Sequence, residues 1–261
     1  MFKNIFKIDL RVTFNYIKDQ KGILKRYNRE KENWDYHLNF TKNYIINFIK
    51  KNKGGNVCVL GSGWLLDVPL KELSEYSNKV LLVDIYHPKS IIKEVNKDYS
   101  NVYFLETDIN GGVMQNLANS FKTLKKGSNK LSLESICESS FSIEGDFNIF
   151  ISVNLLNQLD IIVADYIKKH KIYRSDEIRN IRANIQNNHI NFLKNKNSCL
   201  ISDIEEKLTD DNGKTILTNN LLYGDISMAK NIEKWEWIFD TKKLYNKDYN
   251  TTFNVIAFTF I

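Results

Sequence analysis

An apolar strand that runs into a glycine-rich turn constrains this chain more than any other feature of its sequence. Residues 57–60 are apolar, Gly61 and Gly63 follow at once, and a second apolar run at 80–84 ends in an acid. Glycines at such a turn let the backbone approach a ligand closely, and the acid can accept hydrogen bonds from two ribose hydroxyls. The pattern therefore predicts a cradle for a nucleoside-containing molecule.

Apolar runs alternate with amphipathic stretches through most of the chain. We predict strands at 57–60, 80–84, 102–105, 147–153 and 199–204, and helices at 69–76, 90–97 and 177–194. Strands separated by helices are typical of a mostly parallel sheet with helices on both faces, so the predicted fold class is α/β, Rossmann-like and doubly wound. Two apolar runs near the end, at 234–239 and 252–261, have no helix between them and predict an antiparallel C-terminal strand pair.

The N-terminal part is predicted to form a helical cover. Apolar side chains recur at helical spacing from Trp34 to Phe48, whereas the first 33 residues mix apolar and lysine side chains. We therefore divide the chain into a helical cover, residues 1–51, and one ligand-binding domain, residues 52–261.

The composition of the chain limits the cellular location and the binding partners that we expect for it. The net charge of +6 comes with lysine and asparagine spread along the chain and with no basic block, which weighs against a nucleic-acid partner. The three cysteines form neither a metal-type pair nor an even disulfide set, so we expect a reducing, cytoplasmic location and no metal. No apolar run is long enough to span a bilayer, so no membrane partner is expected.

The details of the turn favour S-adenosylmethionine over a dinucleotide. A dinucleotide fingerprint needs a third glycine, and Leu66 takes that position here. Asp67 places a negative charge near the start of the next helix, which repels a pyrophosphate and suits a ligand with a sulfonium and an ammonium group. Asp84 and Asp108 follow the second and third strands, where they can bind the ribose hydroxyls and the adenine amino group. Taken singly, each acid is also explained as a cap or a solvated loop residue.

Three motifs carry a resemblance to a known family. They are Gly61-Ser-Gly-Trp-Leu-Leu-Asp-Val-Pro-Leu70, Val83-Asp-Ile-Tyr-His-Pro88 and Asn154-Leu-Leu-Asn-Gln-Leu159. Over about residues 34–261 the chain resembles class I S-adenosylmethionine-dependent methyltransferases, and more narrowly a group of bacterial methyltransferase-like proteins. The resemblance implies methyl transfer as the activity and a reversed last strand in the sheet.

The same resemblance implies a role for each residue of the cradle. The turn residues Gly61, Ser62 and Gly63 would hold the methionine part of the cofactor, while Asp84 would hold the ribose and Asp108 would lie by the adenine. The family often has a third glycine or a small residue where Leu65 stands, so this chain departs from the pattern at the methionine tail.

The end of the predicted fourth strand supplies candidates for both cofactor and substrate. Asn154 is expected to hold the cofactor amino group and to take part in catalysis, while Asn157 and Gln158 are expected to orient a substrate. A strand followed by a polar helix cap explains Asn157 equally well. DNA amino-methylating enzymes resemble one another in an Asn/Asp-Pro-Pro-aromatic motif at this point, and the absence of proline here weighs against that substrate class.

Acids and histidines elsewhere add candidates for proton transfer. Asp203, Glu205 and Glu206 end the predicted fifth strand, where they would pair with a cationic substrate or take its proton, or else form a solvated acidic loop. His37 and His189 are candidate general bases, although a lone histidine is more often structural.

The sequence thus predicts an S-adenosylmethionine-dependent methyltransferase that acts on a small molecule or a peptide. The acceptor pocket is expected between residues 154–158, residues 203–206 and the helix around His37 and Thr41. Methyl transfer depends mainly on alignment and desolvation, so the lack of an obvious nucleophile is no objection. The alternatives are a catalytically silent binding module with the same cradle, and a nicotinamide-dependent oxidoreductase.

Overall fold

The computed structural model describes residues 16–124, 131–139, 141–171 and 173–260. Within these residues the helices are α1 Tyr16–Arg29, α2 Lys31–Lys51, α3 Leu70–Tyr76, α4 Lys89–Asp98, α5 Val113–Leu124, α6 Leu133–Cys137, α7 Leu156–His170 and α8 Ser175–Leu193. The strands are β1 Asn56–Leu60, β2 Lys79–Asp84, β3 Val102–Glu106, β4 Ile149–Val153, β5 Asn197–Thr209, β6 Thr215–Asn220, β7 Lys230–Asp240 and β8 Asn250–Thr259. The part of the predicted cover before Tyr16 lies outside the described residues.

The described strands form one sheet in the order β3-β2-β1-β4-β5-β8-β7, and β6 pairs with β5 beside this path. Strands β1 to β5 run parallel, and β8 lies antiparallel between β5 and β7. This confirms the predicted Rossmann-like doubly wound sheet with an antiparallel C-terminal pair. The chain moves outward from β1 to β3 and then returns to β4, so the order reverses between β1 and β4. In open sheets of this kind, ligands bind at the carboxyl ends of the strands beside such a switch point.

Apolar side chains on both faces of the sheet explain why the central strands read as continuous hydrophobic runs. On β1, Cys58 and Leu60 pack into one buried cluster with α5, α7 and α8. Val57 and Val59 point to the other face, where a second cluster includes side chains from α2, α3 and α4. Helices therefore cover both faces, as parallel strands require.

The predicted amphipathic stripe of the N-terminal part lies on α2 and faces the protein. Its members Trp34, Leu38, Thr41, Ile45 and Phe48 are all buried. The Trp34 indole nitrogen donates to the backbone oxygen of Phe239 at 2.9 Å, which ties α2 to β7. The stripe is confirmed, and the division at residue 51 stays a prediction.

Several elements differ from the sequence prediction: helices α5 and α7 and strand β6 were not predicted, and strands β5 and β7 are longer than predicted. Strand β5 continues to Thr209 because its second half pairs with β6 and β8. Strand β6 has mostly exposed side chains, so it lacks the apolar pattern that identifies a strand. The segment at 160–176 contains the end of α7 and the start of α8. In the segment at 124–145, residues 125–130 and 140 lie outside the described residues.

Among the described residues, no helix has both the length and the apolar character needed to cross a bilayer. Cys58, Cys137 and Cys199 are all buried as free thiols.

Candidate functional site

The turn between β1 and α3 brings the backbone of β1 close to the end of β4. Gly61 has a φ of +85°, and a Cβ atom built on it would lie 2.7 Å from the backbone oxygen of Val153. Gly63 also has a positive φ, +37°. Leu65 follows at φ 58°, a left-handed conformation that glycine adopts at lower cost. Leu65 thus adopts a backbone conformation that is typical of glycine.

Asp84 joins the end of β2 to this turn. Its Oδ2 accepts a hydrogen bond from the backbone nitrogen of Gly63 at 2.9 Å, and its Oδ1 accepts one from Ile85 at 2.7 Å. Burial raises the pKa of Asp84 to about 6, against the opposing effect of these backbone donors. A carboxylate oxygen can accept two hydrogen bonds, and Oδ1 also lies 3.5 Å from the backbone nitrogen of Tyr86, so Oδ2 is the oxygen that retains capacity for a ligand.

Asp67, Asn154 and His37 meet on the other side of the turn. The Asn154 side-chain nitrogen donates to Asp67 Oδ2 at 2.6 Å and lies 3.2 Å from His37 Nε2. Asn154 follows β4 with a φ of 46°, which asparagine tolerates better than most residues. Burial raises the pKa of the Asp67 carboxyl, and the bond from Asn154 lowers it.

His37 is fixed by two tryptophans of β7. The Trp235 indole nitrogen donates to His37 Nδ1 at 3.0 Å, and the Trp237 ring stacks on the imidazole with centroids 4.1 Å apart. Burial lowers the pKa of His37 to about 3, so the ring is neutral near pH 7. Because an indole can only donate, Nδ1 must accept this bond and the single proton of the neutral ring lies on Nε2. The 3.2 Å contact between Nε2 and the Asn154 side-chain nitrogen then joins two donors and is not a hydrogen bond. This arrangement favours a positioning role for His37 over that of a general base.

Polar atoms of Gln20 and Asn154, beside the turn, are buried without a partner among the described residues. They are Gln20 Oε1 and Asn154 Oδ1. Buried polar atoms are ordinarily hydrogen-bonded, so these two oxygens can accept hydrogen bonds from water or from a polar ligand. Asp67 and Asp84 also form no ion pair within the described part of the chain. The edge around the turn is therefore rich in acceptors, and the charge of Lys42 also acts on Asp67 and lowers its pKa.

The predicted substrate-binding residues do not all lie together. The Asn157 side-chain nitrogen donates to Asp203 Oδ2, so the structure brings these two together. Burial raises the pKa of Asp203 to about 6, and the neighbouring charge of Glu206 adds to the effect. The exposed Gln158 side chain donates back to the Asn154 backbone oxygen at 2.6 Å. Glu205 accepts from Asn254 of β8 at 2.6 Å, so it lies within the sheet and not in an acidic loop.

The other predicted site residues have partners of their own. Asp108 accepts from the backbone nitrogens of Asn110 at 3.0 Å and Gly112 at 3.3 Å, which closes the turn after β3. Ser62 Oγ lies 2.8 Å from His87 Nε2, a contact that the sequence analysis missed although both residues stand in its motifs.

His189 lies away from this cluster. Its Nε2 is 2.8 Å from Ser152 Oγ, and its ring lines a cavity of about 290 Å³ together with residues such as Ile109, Leu159 and Ile185. None of the residues lining that cavity belongs to the group around the turn. The structure therefore brings His37 together with Asn154 and does not bring His189 to them.

One curated protein is similar to this chain in sequence. No protein-family model matches the chain. The uncharacterized protein L594 of Acanthamoeba polyphaga mimivirus is 27% identical over 199 residues, which are 72% of this chain and 44% of that protein. The chain thus spans less than half the length of this curated relative.

Solved structures of methyltransferases are similar in overall arrangement. One is the N-methyltransferase NodS of Bradyrhizobium japonicum with S-adenosyl-L-homocysteine, which is 10% identical, with a TM-score of 0.39 over 89% of this chain and 86% of that one. Another is the magnesium protoporphyrin IX methyltransferase of Synechocystis, at 11% identity, with a TM-score of 0.40 over 97% and 99% of the two chains. At these scores neither likeness bears on function.

Proposed function

We propose that this protein binds S-adenosylmethionine and transfers its methyl group to a small molecule or a peptide. One observation carries the proposal. The glycine turn is flanked by the carboxylates of Asp67 and Asp84, which have no ion-pair partner in the described part of the chain. Hydrogen-bond donors already reach both carboxylates, but no cation of the described residues lies within ion-pair distance of them, and buried charge is costly unless it is paired. A cofactor with ammonium and sulfonium groups provides positive charge, whereas a pyrophosphate would be repelled.

The residues present fit such a cofactor. In this proposal residues 61–63 hold the methionine part, Asp84 accepts from the ribose hydroxyls and Asp108 accepts from the adenine amino group. Asp67 and Asn154 supply acceptors for the ammonium group, and the unpartnered Oδ1 of Asn154 supports that assignment. When bound, the cofactor supplies an electrophilic methyl group on a positively charged sulfur.

The chain itself then has to orient the acceptor and remove its proton. Asp203 is buried at the carboxyl half of the sheet, and its pKa near 6 leaves it mostly ionised at pH 7. A carboxylate with this pKa is a suitable general base, because it holds its charge at neutral pH and still accepts a proton. Asn157 fixes its orientation. We therefore propose Asp203 as the proton acceptor for a polar or cationic substrate.

The test combines ligand binding with methyl transfer. Isothermal titration with S-adenosylmethionine, S-adenosylhomocysteine and NAD should show binding of the first two alone. Incubation with methyl-labelled cofactor and pools of small amines, alcohols and peptides should then label one pool. Binding of NAD alone would indicate the oxidoreductase, and binding without labelling of any pool would favour the silent module.

A further inference from the structure

The side chain of Gln20 lies directly over the glycine turn. A Cβ atom built on Gly63 would be 3.3 Å from Gln20 Nε2, 3.4 Å from Gln20 Oε1 and 3.6 Å from Asp84 Oδ2. The amide of α1 and the carboxylate that ends β2 therefore border the same small space. Local sequence gives no indication of this contact, since 43 residues separate Gln20 from Gly63.

A second contact holds α1 in this place. The indole nitrogen of Trp64, which belongs to the loop after the turn, donates to the backbone oxygen of Gln20 at 2.8 Å. The Trp64 indole thus fixes the position of the Gln20 backbone. Because the Gln20 backbone is fixed by this bond, its side-chain amide stays close to the turn.

The unpartnered side-chain oxygen of Gln20 indicates which kind of group can bind in this space. Its Oε1 is buried and has no partner among the described residues. Asp84 Oδ2 beside it is also an acceptor, so the two oxygens cannot bond to each other unless a proton is added. A group that satisfies both must be a hydrogen-bond donor.

We infer that Gln20 is a cofactor-binding residue, whose amide oxygen accepts a hydrogen bond from the ammonium or a ribose hydroxyl of S-adenosylmethionine. The inference rests on the proposed function and extends it, because it makes α1 one wall of the cofactor site. The N-terminal helix would then add to cofactor affinity as well as covering the sheet.

The experiment is isothermal titration of S-adenosylhomocysteine and of adenosine into the unaltered chain and into Gln20→Ala and Lys21→Ala. Lys21 is exposed on the same helix, so its variant controls for changes in helix stability. The dissociation constant of S-adenosylhomocysteine should rise about tenfold for Gln20→Ala, the effect of losing one hydrogen bond, and should stay unchanged for Lys21→Ala. An equal rise with adenosine assigns the contact to a ribose hydroxyl, and a rise with S-adenosylhomocysteine alone assigns it to the ammonium.

Hydrogen exchange provides a readout that does not depend on any variant. S-adenosylhomocysteine should slow exchange of the backbone amides of α1 in the unaltered chain. Unchanged affinity in Gln20→Ala, together with unchanged exchange in α1, would overturn the inference while leaving the proposed function intact if Asp84→Ala still weakens binding. Failure of the unaltered chain to bind S-adenosylhomocysteine would overturn both.

Discussion

Trp235 donates its indole proton to Nδ1 of His37 across 3.0 Å, between strand β7 and helix α2. Through this bond, the far edge of the sheet determines which nitrogen of His37 faces Asn154 at the candidate site. The tryptophan two residues further along, Trp237, stacks on the same imidazole, but its own indole nitrogen has no partner among the described residues.

This difference between the two tryptophans gives a matched pair of variants. Trp235→Phe removes a made hydrogen bond and should lower the free energy of unfolding by about 1 kcal/mol more than Trp237→Phe, which removes an unsatisfied donor. Urea denaturation of both variants measures the difference. Equal losses would mean that the bond to His37 contributes nothing to stability.

The buried neutral state of His37 predicts a pH effect on stability. Its pKa in the folded chain is about 3, below the ordinary 6.5, so the unfolded chain binds the proton more readily and stability falls as pH falls through 6.5. Between pH 7 and pH 5 this residue should cost about 2 kcal/mol. The unaltered chain should therefore lose about that much more stability than His37→Asn over the same interval. The same loss in both proteins would contradict the buried neutral ring.

Much of this architecture was accessible from the sequence, because it depends on local patterns. The alternation of apolar runs predicted the central strands, and it placed the glycine turn and Asp84 at the ends of two of them, where a hydrogen bond joins Gly63 to Asp84. Strand β6 was not predictable, since exposed side chains such as Leu217 carry no periodic signal. The hydrogen-bond partner of His37 on β7 could not be predicted either, because Trp235 is 198 residues away along the chain.

Asn154 combines an unusual backbone conformation with a side chain at the proposed cofactor. Its φ of 46° is strained for alanine but not for glycine. Asn154→Gly and Asn154→Ala should both reduce methyl transfer at least tenfold, about the effect of one lost hydrogen bond to a charged group. The alanine variant should be about 1 kcal/mol less stable than the glycine variant.

The exposed Asn96 offers a control for these variants, since Asn96→Ala should leave methyl transfer unchanged. Full activity in Asn154→Gly would remove this side chain from the mechanism.

The raised pKa of Asp203 predicts the pH dependence of the reaction. Because the ionised carboxylate takes the proton, the rate of methyl transfer at saturating cofactor should rise with pH through about 6 and then level off. Asp203→Asn should reduce the rate at pH 7 and remove this rise. Glu205→Gln, which alters a carboxylate paired with Asn254, should keep the profile. A rise through pH 6 that persists in Asp203→Asn would exclude this residue as the base.

The central claim is that Asp84 and the glycine turn bind the nucleoside of S-adenosylmethionine. Calorimetric titration of S-adenosylhomocysteine into the unaltered chain, Asp84→Ala and Asp98→Ala tests it most directly. Asp98 is an exposed acid at the end of α4, so its variant removes the same charge away from the turn. The account predicts binding to the unaltered chain and to Asp98→Ala with equal affinity, and a loss of about 1.5–3 kcal/mol for a folded Asp84→Ala. Equal affinity in all three proteins, or no binding to the unaltered chain, would contradict it.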